Sequence, residues 1–186
     1  MLTWIILGVI VLALLYGVAV YNRLVRLRAL VREAFSGITV QLRRRADLVP
    51  NLVSTVQGYA AHERETLDAV TAQRTAATNA GSVAATAQAD AAMTAMLGRL
   101  IAVAEAYPDL KADANFRELQ TELSGLETEL QSARRYYNAT ARDLNTKVQS
   151  FPDMLFARPM GFAEEPYYQD EDASIQTAPN VSFART

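Results

Sequence analysis

The chain has 186 residues, 51% of them hydrophobic, and its formal net charge is −2 at pH 7. A chain this close to neutrality lacks the overall basic field of a nucleic-acid-binding protein, so we expect no nucleic-acid partner. The sequence contains no cysteine, which excludes disulfides, thiolate chemistry and sulfur-ligated metals. Alanine is abundant and β-branched runs are few beyond the N-terminal segment, a composition that favours helices.

Residues 2–20 are almost wholly apolar, and the first charged side chain is Arg23. A helix needs about 20 such residues to cross the hydrocarbon of a bilayer at about 1.5 Å per residue. A cleaved secretory signal is the alternative, but no positive charge precedes the apolar core and the residues after Val20 make a poor cleavage site. We therefore predict an uncleaved transmembrane anchor over residues 1–22. Its membrane-facing candidates are Leu2, Trp4, Ile5, Ile6, Leu7, Val9, Leu12, Leu15, Tyr16 and Val20.

The charges after the anchor predict its orientation. Arg23, Arg26, Arg28 and Arg32 follow it, against a single acid, Glu33. Because positive charge stays on the cytoplasmic side of a membrane, we expect the domain on the cytoplasmic side. The same arginines lie on a helix that packs, so a role in the bundle instead of in topology stays open.

A denser basic run follows, in which Arg43, Arg44 and Arg45 form a candidate contact patch. Such a run can hold anionic lipid headgroups. An upright helix would place Arg43 about 30 Å beyond the membrane surface, at about 1.5 Å per residue. Salt bridges within or between bundles are therefore the favoured use of this patch.

Apolar residues spaced by three and four indicate that the transmembrane helix runs on into the domain. They are Leu24, Leu27, Val31, Phe35, Ile38 and Leu42. Pro50 lacks a backbone donor and its ring clashes with the preceding turn, so we predict a break or a strong kink between Ala46 and Pro50. A second helix then reaches about Ala80, and turn-forming residues 79–82 separate it from a third helix over residues 83–106.

The last helix carries the cleanest pattern in the chain. Asn115 and Glu118 have the spacing of a capping box at its start, and Phe151-Pro152 ends it. Its stripe comprises Phe116, Leu119, Leu123, Leu126, Leu130, Ala133, Tyr137, Ala141, Leu144, Val148 and Phe151. A stripe sustained over several heptads needs partners along its whole length. We therefore predict an all-α fold, in which the transmembrane helix continues into an antiparallel, up-and-down four-helix bundle with long helices over residues 23–151.

Residues 152–186 lose this periodicity and gain prolines and acidic side chains. We expect an irregular, acidic C-terminal tail, in which Met154, Leu155, Phe156, Met160 and Phe162 can pack onto the bundle and the acidic stretch 164–172 is mobile. Glu164, Glu165, Tyr167 and Tyr168 form a candidate tail motif. A solubilising role is favoured for this tail, and a partner-binding segment is the sharper alternative.

The sequence offers no pattern for catalysis. His62 is the only histidine, and Thr66 stands where a zinc-protease helix would place a second one. One histidine cannot build a histidine-rich metal site, and the sequence has no glycine-rich phosphate loop and no nucleophile elbow. We therefore expect no enzymatic activity, no metal and no cofactor.

Polar residues at interior-like positions form a candidate network. Its members are Asn51, His62, Arg134, Tyr136, Tyr137 and Asn138. These side chains would meet only if the second and last helices pack antiparallel. A buried polar network can fix the register of a long bundle, and this structural role is favoured over a ligand or partner site.

Several separate motifs resemble those of LemA family proteins. They are Tyr21-Asn22, residues 41–53 (QLRRRADLVPNLV), 58–63 (GYAAHE) and 103–112 (VAEAYPDLKA), Asn115-Phe116 with Leu119-Gln120, residues 133–138 (ARRYYN), and Phe151-Pro152. Their order and spacing agree from the anchor to about Phe162, and the acidic tail is not covered in detail.

The resemblance implies a bacterial envelope protein of the inner (cytoplasmic) membrane, with one N-terminal anchor and an antiparallel bundle of four helices. It implies no known enzymatic activity. Genes of this family often neighbour those of TPM-domain membrane proteins and of an integral-membrane zinc metalloprotease, which makes these possible partners besides the lipid bilayer. Some relatives carry a lipoprotein signal instead of an anchor, and their domain lies outside the cytoplasm.

These observations favour a membrane-anchored helical-bundle interaction protein that acts as a scaffold or adaptor. A self-assembling, membrane-organising homo-oligomer is the alternative, because the anchor and the basic and acidic helix faces could pair between copies. A bundle that senses a small ligand is a second alternative, for which the sequence offers no pocket chemistry.

Overall fold

The computed structural model describes residues 1–60, 62–78 and 81–168. All regular structure in these ranges is helical, which confirms the predicted all-α class. The helices are α1 (Leu2–Tyr59), α2 (Arg64–Thr78), α3 (Val83–Glu105), α4 (Pro108–Ala112), α5 (Ala114–Gln149) and α6 (Met154–Ala157). Within the described residues one helix, α1, is long and apolar enough to cross a membrane.

Helices α1 and α5 form a long antiparallel pair. At one end the Tyr59 hydroxyl donates to Asp113 Oδ2 at 3.1 Å, and at the other the Tyr16 hydroxyl donates to Asp153 Oδ1 at 2.9 Å. The two predicted apolar stripes face each other between these ends. Their fully buried members include Leu24, Ile38, Leu130, Ala141 and Leu144. The apolar N-terminal segment therefore continues into the domain as one helix, as predicted.

Helices α2 and α3 cover only the distal half of this pair. They share a second core with the end of α1, the short α4 and the start of α5, built from residues such as Leu52, Val70, Met93, Leu100 and Phe116. In the described residues, no Cα atom of α3 comes within 8 Å of one in α5. The chain thus follows an up-and-down path, but a groove separates α3 from α5, and the packing of a closed four-helix bundle is not confirmed.

Of the predicted break or kink before Pro50, the break is wrong, because α1 runs through this residue to Tyr59. A proline inside a helix leaves the carbonyl four residues earlier without its donor. Here that carbonyl belongs to Ala46, and it accepts a hydrogen bond from Arg74 Nε of α2 at 3.0 Å. A side chain from the neighbouring helix therefore supplies the donor that Pro50 lacks, and the helix continues.

The remaining helix boundaries differ from the prediction in two places. Helix α2 starts only at Arg64, just after Glu63, whose backbone N–H donates to the Ala60 carbonyl at 3.1 Å. Its predicted end near Ala80 lies outside the described residues. The cap of α5 is Asp113, whose Oδ1 accepts from the Phe116 backbone N–H at 2.9 Å. Asn115 lies inside the helix, so the predicted capping box is wrong. Helix α3 begins after Ser82 and ends before Pro108, close to the predicted bounds.

Residues 152–168 pack along α1 and α5, so the prediction of a mobile acidic tail is wrong for residues 164–168. Phe162 and Tyr168 are buried in the same core as Leu24 and Ile38. Phe162 also lies under the guanidinium of Arg28, with 4.5 Å between Cζ and the ring centroid. Phe151, the last member of the predicted stripe, is 77% exposed because α5 has ended at Gln149. Residues 169–186 lie outside the described part of the chain.

The contact of Arg74 with Ala46 makes a testable prediction. Arg74→Ala should lower the free energy of unfolding of the full chain in detergent by about 1–2 kcal/mol, because a half-buried carbonyl loses its donor. In a Pro50→Ala background the backbone N–H of residue 50 restores that donor, and the same substitution should cost clearly less. Chemical denaturation of the four variants of this double-mutant cycle gives the coupling; additive effects would contradict the assignment.

Candidate functional site

The most distinctive site is a buried ion cluster around Asp90 of α3, whose side chain is 1% exposed. Arg45 of α1 donates from Nη1 to Asp90 Oδ1 at 3.1 Å, and Arg134 of α5 donates from Nη2 to Oδ2. The Tyr168 hydroxyl, from the C-terminal segment, also donates to Oδ2, at 2.8 Å. One carboxylate thus joins three helices and the segment that follows them.

The charges of this cluster cancel. A lone buried carboxylate is costly unless cations and hydrogen bonds compensate it. Two arginines would overcompensate Asp90, and the half-buried Glu127 supplies the second negative charge. Its oxygens lie 3.4 Å from Arg45 Nη1 and 3.7 Å from Arg134 Nη1. The result is a neutral, hydrogen-bonded group of four ions in the middle of the molecule.

Two tyrosines of the site are held in their protonated form. Burial, together with the charge of Asp90 and the hydrogen bond to it, raises the pKa of Tyr168 far above its usual value of 10.0. Burial, with Glu165 nearby, raises the pKa of Tyr137 to about 12. Both hydroxyls therefore remain donors, and that of Tyr137 donates to the Pro166 carbonyl at 2.8 Å.

Two asparagines of α5 hold the backbone of the C-terminal segment. Asn138 accepts from the Tyr168 N–H at 2.8 Å and donates to the Tyr168 carbonyl at 3.0 Å. Asn145 makes the same pair of bonds with Glu165, at 2.8 and 2.9 Å. Seven residues of helix rise about 10.5 Å, and three residues of extended chain span about 10 Å. The two spacings match, so the segment binds α5 much as a strand binds its neighbour.

The structure brings together only part of the predicted polar network. Arg134, Tyr137 and Asn138 meet at the ion cluster or beside it. Asn51, His62 and Tyr136 are exposed and have no part in it. Tyr136 and Tyr137 are successive residues of one helix, and only the second can face the core.

The three arginines of the predicted basic patch lie in different environments. Arg45 is buried in the ion cluster, so its side chain forms salt bridges within the domain. Arg44 is exposed and lies 3.7 Å from Glu129, and Arg43 is exposed.

Two of the four residues of the predicted tail motif form hydrogen bonds with the helices. Tyr168 reaches Asp90, and Glu165 is held through its backbone. Glu164 and Tyr167 are exposed.

Asp90 and Glu127 were not among the residues predicted from the sequence. A signal for Asp90 exists, because it is the only charged residue between Arg74 and Arg99. A single acid in a long alanine-rich helical stretch has no local partner, and burial of the stretch forces it to find a distant one. Glu127 has no comparable signal, since it lies among other acids on α5.

The chemistry of the cluster suits a structural role, in which ion pairs hold helices together. Both oxygens of Asp90 already accept hydrogen bonds, and the cluster contains no nucleophile. Among the residues that the structure describes, no group of three or more histidines or acids could hold a metal ion. Beside Arg45 and Glu127 opens the groove between α3 and α5, with a volume of about 950 Å³. Its lining includes Thr94, Gly98 and Thr121.

Comparison with known proteins places the chain in a family. The sequence model of the LemA family matches residues 34–183. The chain belongs to the LemA family. Proteins of this family are not known as enzymes.

Proteins with sequences similar to this chain include two magnetosome proteins and a LemA protein. Magnetosome protein MamQ 2 of Paramagnetospirillum magneticum is 26% identical, over 82% of this chain and 66% of the relative. Magnetosome protein MamQ of Magnetospirillum gryphiswaldense is 24% identical over the same shares. Protein LemA of Metamycoplasma hominis is 29% identical, over 70% of this chain and 60% of the relative. The chain thus spans slightly less than two thirds of the length of these relatives.

Removal of the central carboxylate should destabilise the fold strongly. Asp90→Asn leaves Arg45 and Arg134 buried with only Glu127 to compensate them, and we expect a loss of about 3–5 kcal/mol in the free energy of unfolding. Denaturant titration in detergent measures it. Asp143→Asn, at an exposed position of α5, is the matched control and should change little. A loss below 1 kcal/mol, on the order of a surface substitution, would contradict the role given to Asp90.

The raised tyrosine pKa values predict a loss of stability at alkaline pH. Above pH 10.0 the tyrosines of the unfolded chain ionise, whereas Tyr137 stays protonated in the folded chain until about pH 12. The free energy of unfolding should therefore fall between these values. Tyr137→Phe should make this fall shallower, and Tyr136→Phe, at the exposed neighbouring position, should leave it unchanged. Equal slopes for the two variants would contradict the assignment.

Proposed function

We propose that this LemA protein is a membrane-anchored scaffold of the bacterial cell envelope, which holds a partner protein at a fixed height above the bilayer. The observation that carries the proposal is the continuity of α1, which runs unbroken from the apolar segment to the tip of the domain. A helix of this length measures about 87 Å at about 1.5 Å per residue. Movement of the membrane segment is thereby coupled directly to the domain.

The exposure of the N-terminal segment supports the membrane anchor. Every residue from 1 to 16 is exposed, so the described part of the chain leaves the apolar ones among them without a cover from water. Arg23 and Arg26, just beyond this segment, are exposed as well. They support an orientation in which the domain faces the cytoplasm, and an inner-membrane location follows from the same argument.

The groove between α3 and α5 is the surface we assign to the partner. It lies near the level of Arg45, about 38 Å beyond Val20 along α1. Gly98 and Gly125 open it, because no atom lies within 4 Å of the position where a Cβ would stand on either residue. Partly buried Ile101 and Leu123 give it an apolar floor. Such a groove fits an amphipathic helix of another envelope protein, for which a TPM-domain protein or a membrane zinc metalloprotease are candidates.

A glycine pair of the chain tests this assignment. Gly98→Trp puts a large side chain into the groove, and Gly37→Trp adds the same side chain at an exposed helical glycine outside the groove; an added Cβ meets no neighbouring atom within 4 Å at either position. A photo-cross-linking residue at Thr121 reports the occupant in living cells. We expect one discrete cross-linked envelope protein, lost at least tenfold with Gly98→Trp and retained with Gly37→Trp.

Three results would overturn the proposal. Cross-links to many proteins without preference would mean that the groove has no partner. Cross-links only to a second copy of the chain would favour the self-assembling homo-oligomer. Equal loss with both tryptophan variants would mean that the groove is not the site of contact.

A further inference from the structure

An apolar corner between α5 and α6 lies beside the membrane segment. Its exposed side chains are Phe151, 77% exposed, Leu155, 59% exposed, and Met160, 39% exposed. Large exposed apolar side chains this close together in the sequence need a covering surface. This corner plays no part in the ion cluster or in the groove.

Three contacts fix the level of the corner on α1. The Tyr16 hydroxyl donates to Asp153 Oδ1 at 2.9 Å. A Cβ on Gly17 would lie only 3.2 Å from the Phe156 ring, so α6 packs closely on the helix there. The rings of Tyr21 and Phe162 meet edge to face, with their centroids 5.8 Å apart. The corner therefore stands beside residues 16–21.

The length of the apolar segment decides whether this level is inside the bilayer. Residues 2–20 give about 28 Å of helix, close to the hydrocarbon thickness of about 30 Å. If the bilayer ended at residue 15, below the corner, residues 2–15 would give only about 21 Å. The deficit would be about 9 Å, and any tilt of the helix would increase it. The hydrocarbon boundary must therefore reach the level of Tyr16 to Val20, where the corner packs.

The charges of the corner suit a lipid interface. Residues 150–162 contain one acid, Asp153, and one base, Arg158. Asp153 is buried and paired with Lys147 Nζ at 2.5 Å, so it presents no free negative charge to lipid. Arg158 is exposed, as are Arg23 and Arg26, which follow the α1 residues beside the corner. The surface offered is apolar with a basic rim, which is the pattern of segments that lie in the interface of anionic membranes.

We propose that the α5–α6 corner inserts Phe151 and Leu155 into the headgroup and upper acyl layer of the membrane leaflet that faces the domain. The occupant of this surface is the lipid bilayer itself, with anionic headgroups around Arg158. The proposal rests on the membrane anchoring proposed above and deepens it. A second contact beside the anchor fixes the tilt of α1, and thus the direction in which the α3–α5 groove faces.

The absence of cysteine from the chain allows a direct test with single-cysteine variants. Leu155→Cys reports the corner, Leu12→Cys reports the anchor, and Gln131→Cys reports an exposed position of α5 about 29 Å farther from the membrane. Each variant carries an environment-sensitive fluorophore and is reconstituted into vesicles of phosphatidylcholine and phosphatidylglycerol. Lipids brominated at shallow or at deep acyl positions serve as quenchers. Phe151→Cys repeats the corner measurement at a second site.

We expect at least twofold quenching at Leu155→Cys by shallow brominated lipids, strong quenching at Leu12→Cys by deep ones, and none at Gln131→Cys. Quenching at Leu12→Cys without any at Leu155→Cys and Phe151→Cys would overturn the corner proposal and leave the anchor intact. No quenching at Leu12→Cys would overturn the membrane anchoring itself. Efficient disulfide formation between two unlabelled Leu155→Cys chains, together with no lipid quenching of the labelled ones, would show that a second copy covers the corner and would also overturn the proposal.

Discussion

Helix α1 belongs to the apolar N-terminal segment and to the helical domain at once, and this shared helix constrains everything that packs on it. Its hydrogen-bond ladder must pass Pro50, where the Ala46 carbonyl has no backbone donor. Arg74 of α2 supplies one, so the packing of a neighbouring helix keeps α1 whole. The fold of the domain and the stiffness of its connection to the apolar segment therefore depend on each other.

The second constraint is the buried carboxylate of Asp90. It attracts Arg45 and Arg134 from two other helices and the Tyr168 hydroxyl from the C-terminal segment. The bond between Asp90 and Arg134 crosses a gap in which no Cα atoms of α3 and α5, among those described, come within 8 Å. Long side chains thus join the two helices without closing the space between them. The long Asp90–Arg134 contact therefore both holds the domain together and leaves the groove open.

The sequence allowed the features that depend on local spacing to be predicted. The stripes of α1 and α5 follow from apolar residues at three and four, and the apolar segment from its length. The path of α1 through Pro50 could not be predicted, because the compensating Arg74 lies 28 residues beyond Ala46. The ion cluster could not be predicted either, because its members are far apart in the sequence: Arg134, Arg45 and Tyr168 are separated from Asp90 by 44, 45 and 78 positions. The cap of α5 at Asp113, by contrast, is local in sequence. It was missed because Asn115 and Glu118 have the spacing of a capping box two residues later.

A rigid link between apolar segment and domain is the central claim, and the distance between its two ends tests it most directly. Spin labels at Leu12→Cys and Gln57→Cys, in lipid nanodiscs, bracket both the membrane boundary and Pro50. An unbroken helix predicts one narrow distance distribution near about 68 Å, for 45 residues at about 1.5 Å each. A broad distribution, or one centred well below this distance, would mean that α1 bends or breaks between membrane and domain, and would contradict the account.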